Sequence, residues 1–236
     1  MKSNNESAVS STRTTEMTYA ILPDRMPPIP FEKMTDEQRK AAAEFIAGPR
    51  GEVRGPFWPL LRSPAFMMSV QSAGLYTRYY CPLDKRINEM ATLMGVRTWT
   101  QQYIWNAHYG KAIKAGLKPS IAEAIAEGRR PTGMAEDEEI LYDFLTEVFT
   151  NKSVSDPTYE KTVAKFGESG LIDIIGIVGV YMMLGMIMNV TRTALTDGRP
   201  LPLVPAPAPL RSLMPGTVSA DNYKLIPSQQ KEFDGL

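Results

Sequence analysis

Apolar positions recur at helical spacing along most of the chain, and no stretch alternates with the two-residue period of a half-buried strand. Residues 82–94 carry Leu83, Ile87, Met90 and Met94 three or four apart, which predicts a helix with one core-facing stripe. Gly95 reads as its C-terminal stop. Residues 100–115 repeat the pattern with Ile104, Trp105, His108, Ala112 and Ala115, and Gly116 reads as the next stop. The two runs predict an antiparallel helical hairpin that turns between Gly95 and Thr100.

Other elements follow from start and stop signals. Thr35 with Gln38 three residues on makes a capping box before the apolar run 41–46, and the segment 48–55 breaks that helix. An aromatic stretch, 54–64 (RGPFWPLLRSP), ends at a helix start with Ser63 as cap and Pro64 in the first turn. That helix is predicted over 64–80, since Pro82 disfavours helical geometry at Cys81. Short helices are expected from Lys118–Pro119–Ser120 through Glu127 and over 157–166, the latter capped by Ser155 or Asp156 and ended by Gly167. Segment 135–150 is amphipathic, with Ile140, Leu141, Phe144, Leu145 and Val148 inward. The acidic run 136–139 lies where a helix dipole favours negative charge. Without strands or internal repeats, the fold class is all-α.

Residues 171–190 are almost wholly apolar and long enough to span a bilayer. Asp173, Asn189 and the glycines 176, 179 and 185 interrupt the run, which favours a buried central helix over a membrane span. The glycines predict close approach of another helix. The ends differ from this middle. Residues 1–34 read as an arm, polar over 1–19 and proline-rich over 21–31; 35–197 as the helical domain; 198–236 as a proline-rich tail lying on a neighbouring subunit. Residues 1–19 have neither signal-peptide nor anchor character, so a cytoplasmic location without membrane contact is expected.

Composition narrows the function classes. Formal net charge is zero, which gives no electrostatic case for nucleic acid. One cysteine, Cys81, precludes an internal disulfide or a thiolate cluster. With one cysteine and one histidine, a zinc or iron site would need carboxylates almost alone, so neither metal nor cofactor is expected. Fourteen methionines suit irregular core filling and subunit contacts.

The candidate chemistry sits on the hairpin. The midpoint between Glu89 and His108 falls between Thr98 and Trp99, inside the predicted turn. Residues equidistant from such a turn share a height, and a two-residue error in the turn shifts them by only ~3 Å. His108 lies on the apolar stripe, and a carboxylate that orients an imidazole is a recurring acid–base unit. Each residue also has a simpler reading. Glu89 can pair with Lys85 or Arg86 on its own helix. His108 can be a hydrogen-bonded core residue, and Trp105 and Tyr181 core aromatics. Cys81 reads as an inert buried thiol.

The hairpin also carries a resemblance. QYIWNAHYGKAIKAGLKPSIAEAIAEGRRP (102–131), RGPFWPLLRSP (54–64) and SDPTYEKTVAKFGESGLIDIIGIVGVYMMLGMIMN (155–189) resemble the carboxymuconolactone decarboxylase family, which shares its fold with the alkyl hydroperoxidase D proteins. The resemblance covers roughly 56–195. The peroxidase branch has a Glu, a Cys-x-x-Cys pair and a His three residues after the second Cys. Glu89 and His108 match that Glu and His, while Gln102 and Trp105 occupy the cysteine positions. Disulfide exchange needs a thiolate and a resolving thiol. The replacements therefore argue against thiol peroxidase chemistry and for the decarboxylase-like branch.

The resemblance implies a cofactor-independent carbon–carbon lyase acting on a small carboxylated lactone or an acid of aromatic-compound catabolism. In it, His108 moves the proton and Glu89 fixes its tautomer. Trp105, Gln102 and Tyr181 line the substrate, and Arg54 or Arg86 grips a second carboxylate or a lactone carbonyl. It also implies a homotrimer or a pair of trimers. An isomerase or lactone hydrolase using the same dyad, or a non-catalytic oligomeric module, remain the other readings.

Overall fold

The computed structural model describes residues 23–193 and Leu203. The expectations for 1–22 and for nearly all of the proline-rich tail fall outside the described residues. Every regular element among the described residues is helical. After a 3-10 turn at Phe31–Lys33 come α1 (Asp36–Ala47), α2 (Phe57–Leu60) and α3 (Pro64–Leu75), which runs into a π-helical segment, Tyr76–Tyr80. Then follow α4 (Lys85–Thr98), α5 (Gln102–Lys114), α6 (Pro119–Glu127), α7 (Glu136–Asn151) and α8 (Asp156–Thr191).

Local signals set most of the boundaries. The capping box forms as expected, with Gln38 N donating to Thr35 Oγ1 and Thr35 N to Gln38 Oε1. Gly116 and Gly128 take the left-handed backbone that only glycine adopts without cost, just past α5 and α6. Gly167 does the same inside α8, with φ 72° and ψ 168°, so the predicted break between two helices is present although the helical run continues beyond it.

Three boundary expectations are corrected. Ser63 makes no side-chain cap at α3; Pro64 alone marks that start. The hairpin's first helix begins at Lys85, where the Asp84 side chain accepts from Arg86 N. Gly95 does not end it. The helix continues to Thr98, and Gly95 is buried where an added Cβ would lie 3.4 Å from Val178. Its missing side chain lets α4 approach α8, and that packing overrides its weak helix propensity.

α4 is the centre of the molecule and packs on α5, α6, α7 and α8. Its Ile87, Met90, Leu93 and Val96 are almost wholly shielded from solvent. Each large aliphatic side chain so buried contributes about 1.5–3 kcal/mol. The expectation that residues 171–190 form a buried central helix holds for one face only. Leu171, Ile174, Ile177, Val178, Tyr181, Leu184 and Met188 are buried, while Ile172, Ile175, Met186 and Val190 are exposed. The glycines divide likewise. A Cβ at Gly185 would lie 3.5 Å from the Trp99 side chain, but nothing described lies within 4 Å of a Cβ at Gly176 or Gly179.

The hairpin turn is held from both sides. Arg97 donates to Ala126 O at 2.6 Å and to Thr100 Oγ1 at 2.9 Å. On the α8 side, Asn189 Nδ2 donates to Trp99 O at 2.7 Å. These bonds tie α4, α5, α6 and α8 into one frame, and that frame fixes the relative height of the residues on α4 and α5.

Candidate functional site

Glu89 and His108 meet across the hairpin. His108 Nδ1 lies 2.6 Å from Glu89 Oε2, in an ion-pair geometry that leaves 5% and 14% of the two side chains exposed. Tyr181 from α8 packs edge-on to the imidazole, with ring centroids 4.7 Å apart and planes at 74°. The ring is thus fixed by a hydrogen bond on one side and an aromatic edge on another. Burial pushes the imidazole below its ordinary value, against the opposing pull of Glu89. A neutral ring donating Nδ1–H to Glu89 keeps Nε2 as a free base. The alternative pairing of Glu89 with Lys85 or Arg86 is not what forms. Lys85 donates to Arg78 O, and Arg86 turns away to Asp137 and Glu138.

His108 and Tyr181 line a cavity of about 310 Å³. Its wall combines Phe57, Tyr103, Ile104 and Leu184 with four cationic side chains, Arg50, Arg54, Arg78 and Lys111, and includes no carboxylate. Arg54 is exposed and pairs with Glu52 at 2.9 Å. Arg50 stands over the Phe57 ring at 4.7 Å, and its buried Nε has no hydrogen-bond partner. Burial and the neighbouring Arg78 push Arg50 down from its ordinary value. Lys111 is pushed down to about 8, chiefly by burial and then by Arg78. Four cations and no carboxylate in the wall leave the cavity electropositive in an otherwise neutral chain.

The local backbone explains how these groups converge. The π-helical segment widens the turn that carries Arg78, and the buried Asn88 side chain donates to Thr77 O at 2.8 Å within it. Such bulges concentrate at functional sites. Gly55 has φ 53°, and a Cβ there would lie 2.8 Å from the Tyr103 ring, so glycine is required twice over beside Arg54. Lys111 lies one turn beyond His108 on α5.

The expected site residues therefore separate. Glu89, His108, Tyr181 and Arg54 come together. Arg86 does not belong to the cavity. It bridges Asp137 and Glu138, each at 2.6 Å, and joins α4 to α7; the hydrogen bonds to those carboxylates raise it above its ordinary value. Trp105 is buried in the core near Tyr109 and does not line the cavity. Gln102 is likewise elsewhere. Its amide donates to Leu203 O and accepts from Leu203 N, both at 2.8 Å, clamping the start of the C-terminal segment. Cys81 is 5% exposed, lies outside the cavity wall, and is pushed up by burial, as an inert thiol should be.

Arg50, Arg78, Lys111, Tyr103 and Phe57 went unread in the sequence. For Lys111 a signal existed, since it follows His108 at helical spacing. Arg50 and Arg78 sit in a loop and a π-helical segment, where no periodicity points.

No protein-family description and no curated protein matches the chain. Solved structures do. An uncharacterised peroxidase-related protein from Ralstonia eutropha with an alkylhydroperoxidase AhpD core superimposes with a TM-score of 0.59 at 18% identity, covering 74% of this chain and 93% of that one. A protein of unknown function from Agrobacterium tumefaciens, grouped with the AhpD antioxidant-defence proteins, gives 0.50 at 16% identity, covering 57% and 93%. The fold is therefore the AhpD-like helical bundle. At such identities the likeness establishes the fold, and the chemistry has to be argued from the site.

Proposed function

We propose that this chain is an acid–base carbon–carbon lyase, a cofactor-independent decarboxylase of a small acid or lactone bearing more than one carboxylate. The observation that carries the reading is the Glu89–His108 hydrogen bond opening onto a cavity walled by cations. A volume of about 310 Å³ suits a small metabolite. Arg50 and Arg78 offer planar forks that match carboxylate oxygens, and an anion would relieve their mutual repulsion.

Loss of carbon dioxide breaks the bond to the departing carboxylate and leaves its electron pair delocalised into an adjacent carbonyl or double bond. The cationic wall stabilises that charge where it develops. The anion is then protonated at carbon by His108. Burial keeps the imidazole neutral in the empty cavity, and a bound polyanion favours its protonated form, so the substrate helps to arm its own acid. Tyr181 is pushed up by burial and stays a phenol, able to donate a hydrogen bond.

The neighbours' descriptions mention peroxidase and antioxidant roles. Thiol chemistry does not fit this site, because the sole thiol is buried and does not line the cavity. Self-association is part of the proposal. The exposed apolar side chains of α8, with the open glycines 176 and 179, form a face that a second copy can cover, and a trimer or a pair of trimers is the expected assembly. The test of function is carbon dioxide release across a panel of di- and tricarboxylic lactones and oxo acids, with His108→Gln as control. Turnover by isomerisation or lactone opening without carbon dioxide would reassign the same dyad to an isomerase or hydrolase.

A further inference from the structure

Lys111 is the one cavity group whose surroundings suit a neutral amine better than a cation. It lines the cavity, and its side-chain amine makes no hydrogen bond or ion pair among the described residues. The charges that act on it are mostly of its own sign, those of Arg78, Arg54 and Arg50, with Glu89 opposing. Glu89 is already engaged with His108. A lysine kept only to hold an anion would gain from staying charged, and three arginines at the same cavity already provide that service. An amine crowded by guanidinium groups instead sheds its proton and becomes a nucleophile. Its position, one helical turn from His108, places the amine and the imidazole on the same wall.

We infer that Lys111 forms an iminium with the carbonyl carbon of a β-oxo acid and serves as the electron sink for its decarboxylation. The inference rests on the lyase reading above and narrows its substrate to a 3-oxo carboxylate bearing a further carboxylate. The amine nitrogen bonds to the keto carbon, and the oxygen departs as water with one proton from the amine and one from His108 or solvent. The resulting iminium accepts the electron pair of the breaking carbon–carboxylate bond, giving an enamine and carbon dioxide. His108 protonates the enamine carbon. Water then adds to the iminium and releases the ketone and the free amine. One water is made and one is consumed, and no oxidant or reductant takes part. The depressed value of about 8 means that a useful fraction of the amine is neutral near physiological pH.

The experiment is borohydride trapping on the full chain. The protein is incubated with oxaloacetate, a 3-oxo acid with a second carboxylate, reduced with sodium borohydride, digested and read by mass spectrometry. The expected result is a borohydride-dependent adduct on Lys111, absent from Lys111→Arg, which keeps the positive charge and loses the nucleophile. Trapping should rise with a midpoint near pH 8. The adduct should persist in His108→Gln, while steady-state carbon dioxide release falls by about 10²–10⁴-fold. No adduct on Lys111, or labelling spread over surface lysines and unchanged in Lys111→Arg, overturns the inference. Carbon dioxide release without an adduct sinks the iminium and leaves the lyase standing. An adduct without carbon dioxide release from any acid overturns the lyase reading and with it the electron-sink role, leaving Lys111 only as a reactive amine.

Discussion

His108 Nδ1 and Glu89 Oε2 stand 2.6 Å apart although nineteen positions separate them, because α4 and α5 are the two arms of one tight hairpin. The bond engages Nδ1 and orients the ring; under the proposed function Nε2 carries the proton. His108→Gln should lower turnover on the true substrate by about 10²–10⁴-fold, the usual contribution of a positioned acid or base. Glu89→Gln should lower it substantially. Circular-dichroism melts should place both variants within a few degrees of the wild type. Near-full activity in His108→Gln would make the pair structural.

Burial holds His108 below its ordinary value, and this has a signed effect on stability. The unfolded chain takes up its imidazole proton near pH ~6.5, while the folded chain does so only at lower pH. Between those points the unfolded state binds more protons. Stability should therefore fall as pH drops below about 7, and this contribution should level off once the folded imidazole is protonated. Comparing urea unfolding of wild type and His108→Gln from pH 7.5 to 5 isolates the effect, since the variant should lack it.

The arginines should divide by role. Arg78→Met should raise KM by roughly tenfold or more, the loss expected for a charge-assisted hydrogen bond to a carboxylate, with little change in melting. Arg86→Met should do the opposite. It leaves Glu138, which is 3% exposed, with only its bond from Ala135 N, and should cost about 2–4 kcal/mol once partial exposure of the ion pair is discounted. Steady-state kinetics and denaturant midpoints on both variants separate the two roles.

Cys81→Ser should leave turnover intact, and the wild type should show no peroxide reduction with a dithiol donor. Peroxide turnover abolished by that substitution would overturn this expectation.

Assembly can be tested on α8. Ile175 is exposed beside Gly176 and Gly179. Light scattering should give a trimer or hexamer for the wild type and a smaller species for Ile175→Lys. A stable wild-type monomer at micromolar concentration would refute self-association.

The helical class, the capping box at Thr35, the breaks at Gly116 and Gly167, and the pairing of Glu89 with His108 were all legible in the sequence. Each depends on interactions within a few residues, or on a hairpin whose geometry follows from helical rise alone. What the sequence could not assign was the partner of a side chain at long range. Arg86 looked as available as Arg54 until α7 brought Asp137 and Glu138 to it. Gly95 looked like a stop until Val178 showed that α8 needs the space. Arg50 and Arg78 became site residues only because a loop and a π-helical segment fold over the same cavity as α5 and α8. Periodicity records which face of a helix is buried. Which charges meet inside the fold depends on how helices distant in sequence are packed, and that was decided by the tertiary structure.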